Sequence, residues 1–245
     1  AGFGLKPDEL TDEKLDELAA RVESAYKNLK ITLSLEESAN DCDYYIESMA
    51  EIPEDKHVFY RNLNEVLEDK TIVMTNSSTL LPSTFKVDFT KPERYLALHF
   101  ANNIWRSNSA EVMGHDGTSQ AAYDEAVEFA KALHMVPIKV LKEQPGYLLN
   151  SMLVPFLNSA QYLLANGIGD HENIDMAWKI GTGAPYGPFQ ILDIVGLTTA
   201  YNIVANHPEA NDPTTNAGKI AAMLKKYIDA GKTGVNAGEG FYKYR

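Results

Sequence analysis

With 245 residues, 44% hydrophobic and 23% charged, the chain has the makeup of an ordinary folded protein and the length for one large or two modest domains, which excludes intrinsic disorder. A net charge of −12 without a basic stripe argues against nucleic acid as a partner, and no apolar run approaches the roughly 20 residues of a membrane-spanning helix. The opening AGFGLKPDEL has no basic stretch leading into an apolar one, and Cys42 is the single cysteine, so a cytoplasmic enzyme without internal disulfides and with a buried, inert thiol is expected.

Residues 7–29 read as a helix. Thr11 suits the N-cap, Glu13 and Lys14 fall in the first turn, and Leu15, Leu18, Ala19, Val22 and Tyr26 recur at helical spacing. Three short β-type runs follow at 31–33, 44–48 and 71–74, with a helix over 53–67 between the last two. Strands that alternate with helices predict a parallel sheet of βαβ units, whose ligands bind beyond the carboxyl ends of the strands. A nucleotide-binding sheet of this kind opens with a strand, Gly-x-Gly-x-x-Gly and a helix, and no such motif precedes the first helix here. The run Ala1-Gly2-Phe3-Gly4 reads as a loop, and the first βαβ segment is expected to be missing from the chain as given.

Two further strands are expected at 94–100 and 110–115, joined by the polar turn 102–108. A helix at 119–133 and a last strand at 135–140 complete this half, and Glu143-Gln144-Pro145-Gly146 marks a boundary. The expected domains are therefore 1–143 and 144–245. The second is all-helical, with helices at 147–165, 174–180, 191–204 and 217–230. Nearly pure apolar faces on these helices predict a homodimer through that domain.

Three residue types used in proton transfer fall between residues 71 and 112. His99 ends the apolar run LALHF, and its two readings are a core histidine with one satisfied hydrogen bond or a base oriented by a carboxylate. Glu111 is the only acid between Glu93 and Asp116 and lies on the neighbouring strand, either exposed or buried with a partner. Ser77, Ser78 and Thr79 follow a strand end, where hydroxyls either cap the next segment or bind a substrate hydroxyl held against His99. No Gly-x-Ser-x-Gly elbow marks a nucleophilic serine, and the histidines have no metal-ligand spacing, so no metal is assigned.

Seven motifs occur in order along the chain: DYYIESMAE with Lys56 shortly after, TNSSTL, LALHFANN, the acid twelve residues beyond the histidine, QPGYLLNSMLVPFLNSA, TGAPYGPFQILDIVGL and GEGFYKY. In them the sequence resembles the 3-hydroxyacyl-CoA dehydrogenases, NAD-dependent enzymes with a Rossmann domain followed by a helical dimerisation domain. The resemblance implies that His99 is the catalytic base, Glu111 its partner, Ser78 the group on the substrate hydroxyl and Asn150 a further catalytic residue. Glu51, Lys56, Ser78 and Asn102 would line the nicotinamide and ribose side of NAD. It also implies a short-chain 3-hydroxyacyl-CoA as substrate, interconverted with the 3-ketoacyl-CoA, with a sugar acid or other 3-hydroxy acid as the alternative substrate and a non-catalytic relative as the alternative class.

The chain departs from the family's pattern in His99-Phe100-Ala101-Asn102-Asn103-Ile104-Trp105-Arg106, which lacks the usual prolines and gains Trp105 and Arg106, and in Asn236, which stands where a lysine is common. The reshaped loop leaves the acyl length and the thioester carrier open. The glycine-rich turn whose amides would hold the cofactor pyrophosphate is the largest departure.

Overall fold

The computed structural model describes residues 11–105 and 107–244, so Pro7, the Ala1–Gly4 loop and Arg106 lie outside the described residues. Two compact units divide the chain, residues 1–149 and 150–245.

The first unit is built on five strands, β1 (Tyr44–Glu47), β2 (Ile72–Thr75), β3 (Tyr95–Phe100), β4 (Ser109–Met113) and β5 (Val136–Val140), in the order β1-β2-β3-β4-β5. β1, β2 and β3 run parallel, and β4 pairs with β5 in parallel. The pairing of β3 with β4 is antiparallel. The expected parallel sheet is therefore mixed, because the short loop after β3 returns the chain directly instead of crossing over through a helix.

Helices cover both faces. Ile72, Met74, Leu96, Leu98, Ala110 and Val112 pack against Ala122, Ala126, Val127 and Ala130 of α5 (Gln120–Ala132). The opposite face carries Val73 and Tyr95 against Tyr60 and Leu63 of α3 (Pro53–Val66), with Ala97, Met113, Val140 and Tyr147 forming a patch further along. Covered on both sides, β2 and β3 are almost wholly buried, which is why they read as continuous apolar runs. Side chains alternate across a strand, so His99 falls on the face of Tyr95 and Ala97, toward α3.

The remaining elements of this unit show where sequence pattern falls short. Helix α1 (Asp12–Asn28) has the expected Thr11 cap, whose hydroxyl accepts from the Lys14 amide, yet it buries no residue among those described. The strand expected at 31–33 is absent: Ile31 and Leu33 are exposed and the chain goes straight into α2 (Leu35–Ala39). Ser34 caps that helix through the Glu37 amide, a local bond that Ile31 and Leu33 without a strand partner cannot outweigh. A one-turn helix, α4 (Pro82–Phe85), starts at a proline whose missing N–H costs nothing there.

The second unit contains α6 (Leu149–Ala165), α7 (His171–Thr182), α8 (Pro188–Val195), α9 (Leu197–Ala205) and α10 (Asn216–Asp229). The single helix expected over 191–204 is two, because Gly196 takes φ 96°, which breaks the helical path and which other residues rarely adopt. Leu157, Phe189, Leu192, Leu197, Leu224 and Phe241 lie at the centre of its core.

Two buried aspartates explain the glycine motifs of this half. Asp175 accepts from the Phe189 and Gln190 amides at 2.8 and 3.1 Å and so caps α8; a Cβ on Gly187 would lie 2.3 Å from its carboxyl carbon. Asp193 accepts from the Phe241 and Tyr242 amides at 2.8 and 2.9 Å and from the Tyr244 hydroxyl at 2.8 Å, pinning the terminal GEGFYKY, and a Cβ on Gly240 would meet its Oδ1 at 2.0 Å. These motifs are architectural: they let backbone approach a buried carboxylate.

Candidate active site

The antiparallel register sets His99 directly opposite Glu111, with both side chains on the α3 face and both buried. His99 Nδ1 is 3.1 Å from Glu111 Oε2, and His99 Nε2 is 3.3 Å from Ser78 Oγ. The other carboxylate oxygen, Oε1, accepts from the amides of Leu148 and Leu149, each at 2.9 Å. Oε2 is thereby left to face the imidazole. An acceptor at Nδ1 selects the tautomer with its proton there, so that Nε2 presents a lone pair toward Ser78.

Ser78 is held by the loop after β2. Glu51 accepts from Ser77 Oγ at 2.7 Å, from the Ser78 amide at 3.1 Å and from Thr79 Oγ1 at 2.8 Å, while Ser77 Oγ also accepts from the Leu80 amide. Burial pushes the Glu51 carboxyl up, but the bonds from Ser77, Thr79 and the Ser78 amide outweigh it and hold the group below the usual carboxylate range. Of the three hydroxyls, Ser77 and Thr79 therefore brace the loop and Ser78 is turned to the imidazole. The Asn76 side chain accepts from the Phe100 amide at 3.0 Å, tying the exit of β2 to that of β3.

Behind this loop lies a second polar centre. Glu47, at the end of β1, accepts from Lys56 Nζ at 2.6 Å, from Thr75 Oγ1 at 2.8 Å and from the Tyr60 hydroxyl, and Thr75 Oγ1 in turn accepts from the Ser77 amide at 3.1 Å. Both Lys56 and Glu47 side chains are completely buried.

Ser78, His99 and Glu111 thus form one connected chain, with Glu51 supporting it. Lys56 sits in the Glu47 centre, its ammonium turned inward. Asn102 is exposed just beyond β3, and Trp105 is exposed in the same loop. Asn150 belongs to the second unit, in the first turn of α6. The Cys42 thiol, raised chiefly by burial, donates to the Tyr44 carbonyl at 2.8 Å. Sequence reading missed Glu47, whose only signal is an acid inside a strand, and Tyr147, which is buried beside His99. The latter directly follows the boundary Glu143-Gln144-Pro145-Gly146, and its pattern marks it only as the first residue of the helix expected over 147–165.

Residues 8–144 match the family model for the NAD binding domain of 3-hydroxyacyl-CoA dehydrogenase, and residues 146–244 match that for its C-terminal domain. The chain is 32% identical over 224 residues to the mitochondrial hydroxyacyl-coenzyme A dehydrogenase of Homo sapiens, covering 91% of this chain and 71% of that one. A solved diketoreductase, described as performing substrate-directed dual catalysis of dicarbonyl compounds, is 48% identical with a TM-score of 0.85, over 91% of this chain and 77% of its own. The solved (S)-3-hydroxybutyryl-CoA dehydrogenase of Ralstonia eutropha is 26% identical with a TM-score of 0.76, over 97% of this chain and 80% of its own.

Proposed function

We propose, for a chain that belongs to the 3-hydroxyacyl-CoA dehydrogenase family and is thereby an NAD-dependent oxidoreductase, that its substrate pair is a short-chain 3-hydroxyacyl-CoA and the matching 3-ketoacyl-CoA. The observation that carries this reading is the chain from the half-buried Ser78 to the buried His99 and Glu111, a base whose tautomer the carboxylate selects beside a neutral hydroxyl. The name of the Ralstonia eutropha relative supports the short acyl chain.

The donor set at the strand ends fits the nicotinamide and ribose half of NAD. Glu51, Ser78 and Asn102 offer a carboxylate, a hydroxyl and an amide at the carboxyl ends of parallel strands, where such a ligand is expected to lie. Bound NAD supplies the hydride acceptor in oxidation and, when reduced, the donor.

The protein's own part is proton transfer and orientation. His99 Nε2 takes the proton of the 3-hydroxyl as the carbon loses hydride, and in the reverse direction the imidazolium returns it to the developing alkoxide. Glu111 Oε2 holds the Nδ1 proton throughout and faces the positive charge that appears on the ring. Ser78 Oγ, already beside Nε2, binds the 3-oxygen and fixes it on the proton path. Asn150 is assigned a catalytic part on the family resemblance alone, for which Asn150→Ala kinetics are the test. The exposed Met152, Ile180 and Ile203 support a homodimer through the second unit, to be read by sedimentation.

A second reading is favoured by the 48% identity to the diketoreductase: reduction of a β-dicarbonyl compound that carries no CoA. A 3-ketoacyl thioester is itself a β-dicarbonyl, so the same three residues serve both. NADH oxidation with acetoacetyl-CoA and with a free β-keto ester separates them. The first reading expects kcat/KM to favour the thioester by about tenfold or more; a preference for the free ester would move the assignment to the second.

A further inference from the structure

We propose that Tyr147, together with the two amides that follow it, is a positioning residue for proton transfer, a staple that fixes His99, Glu111 and the serine loop from one short segment. The proposal rests on the proton-transfer reading given above. The Tyr147 ring stacks on the imidazole with centroids 4.5 Å apart and planes 12° apart, so it sets the plane in which Nδ1 meets Glu111 and Nε2 meets Ser78. Its hydroxyl donates to the Ser77 carbonyl at 2.8 Å, one residue from the hydroxyl that faces His99. The next two amides, of Leu148 and Leu149, occupy Glu111 Oε1 and leave Oε2 for the histidine.

The backbone bears the mark of this arrangement. Tyr147 takes φ 52°, a left-handed conformation disfavoured for a bulky side chain, directly after Gly146 at φ 78°. Such a conformation persists only where the surroundings over-determine it. Here the ring is almost completely buried and its hydroxyl anchored, and the left-handed turn is what allows ring and following amides to address three different groups. A plain packing residue at the end of a strand-to-helix connection would need neither the stacking nor the bond to Ser77.

The test is 15N NMR of the His99 imidazole in the protein without cofactor, assigned with His99→Gln, for wild type, Tyr147→Phe and Tyr147→Leu. Wild type is expected to show the Nδ1–H tautomer, Tyr147→Leu a mixture of tautomers, and Tyr147→Phe the wild-type tautomer with displaced Ser77 and Ser78 amide signals. In turnover, Tyr147→Leu should lose about tenfold or more in kcat with KM for NADH within about twofold, and Tyr147→Phe should fall between it and wild type. A folded Tyr147→Leu with wild-type imidazole signals overturns the proposal. Should that variant not fold, Tyr147→Phe decides, and unchanged Ser77 and Ser78 signals with unchanged kcat overturn it. A wild-type protein inactive on acetoacetyl-CoA would count against the substrate reading, while the imidazole measurement would still decide the role of Tyr147.

Discussion

Replacing Glu111 by glutamine tests the tautomer argument because the structure dictates which way the new amide must point. Oε1 of Glu111 accepts two backbone amides at 2.9 Å, and only the oxygen of a carboxamide can take that place. Its NH2 group is then driven toward His99 Nδ1, at the position where Oε2 now lies 3.1 Å away. Facing a donor, Nδ1 must become the acceptor, and the ring proton moves to Nε2, the nitrogen that has to receive the substrate's proton. A base that enters the reaction already protonated at its working atom loses the general-base contribution, about 10²–10⁴-fold, or about 3–5 kcal/mol of barrier. Fold and volume are conserved, so KM should change far less than kcat. The assay is steady-state NAD reduction with 3-hydroxybutyryl-CoA, the direction in which His99 acts as the base, run with circular dichroism on the same samples. A folded Glu111→Gln with kcat within about threefold of wild type would show that Glu111 does not set the tautomer of His99.

Other consequences follow from groups beyond this pair. Lys56→Met leaves the Glu47 carboxylate buried without its cation and should cost about 3–5 kcal/mol, a fall in Tm on the order of 10 °C for a chain of this size; adding Glu47→Gln should recover much of it in thermal unfolding. Because the Glu51 carboxyl is held below its ordinary range, its stabilisation is complete above about pH 5 and is lost as pH falls through its folded-state pKa. Glu51→Gln should therefore be less stable than wild type near neutrality, and the difference should close on acidification in urea titrations. Gly240→Ala would place a methyl 2.0 Å from Asp193 Oδ1, and disrupting that buried acceptor should cost about 2–4 kcal/mol, measured by thermal unfolding.

Much of the first unit was legible because local and tertiary signals agree there. The runs that became β2 and β3 are apolar but for Thr75 and His99, as strands covered on both faces tend to be, and the turn between β3 and β4 forces His99 and Glu111 onto neighbouring strands. Their pairing followed from that adjacency. Ile31 and Leu33 misled because β-type side chains carry no information on whether a partner strand is present. Ser34 and Glu37, a capping-box spacing, were the signal that the next element is a helix. The break at Gly196 was hidden because the apolar period continues across it, and only backbone geometry shows the positive φ.

The site was legible in its charged members and opaque in its supports. Glu47 and Lys56 carry no sequence mark of being a buried pair, since the contact depends on how α3 lies on the sheet. Nor could the sequence show that Ser77 and Thr79 turn to Glu51 while Ser78 turns to His99. The amides on Glu111 Oε1 belong to backbone and leave no trace in residue identity.

Proton transfer by His99 within the Ser78–His99–Glu111 chain, as proposed above, is tested by single-turnover NADH oxidation with acetoacetyl-CoA by wild type and His99→Gln. A fall in the chemical rate of about 10²–10⁴-fold, with intact circular dichroism and little change in NADH affinity, is the predicted result. A folded His99→Gln that turns over at the wild-type rate would contradict it.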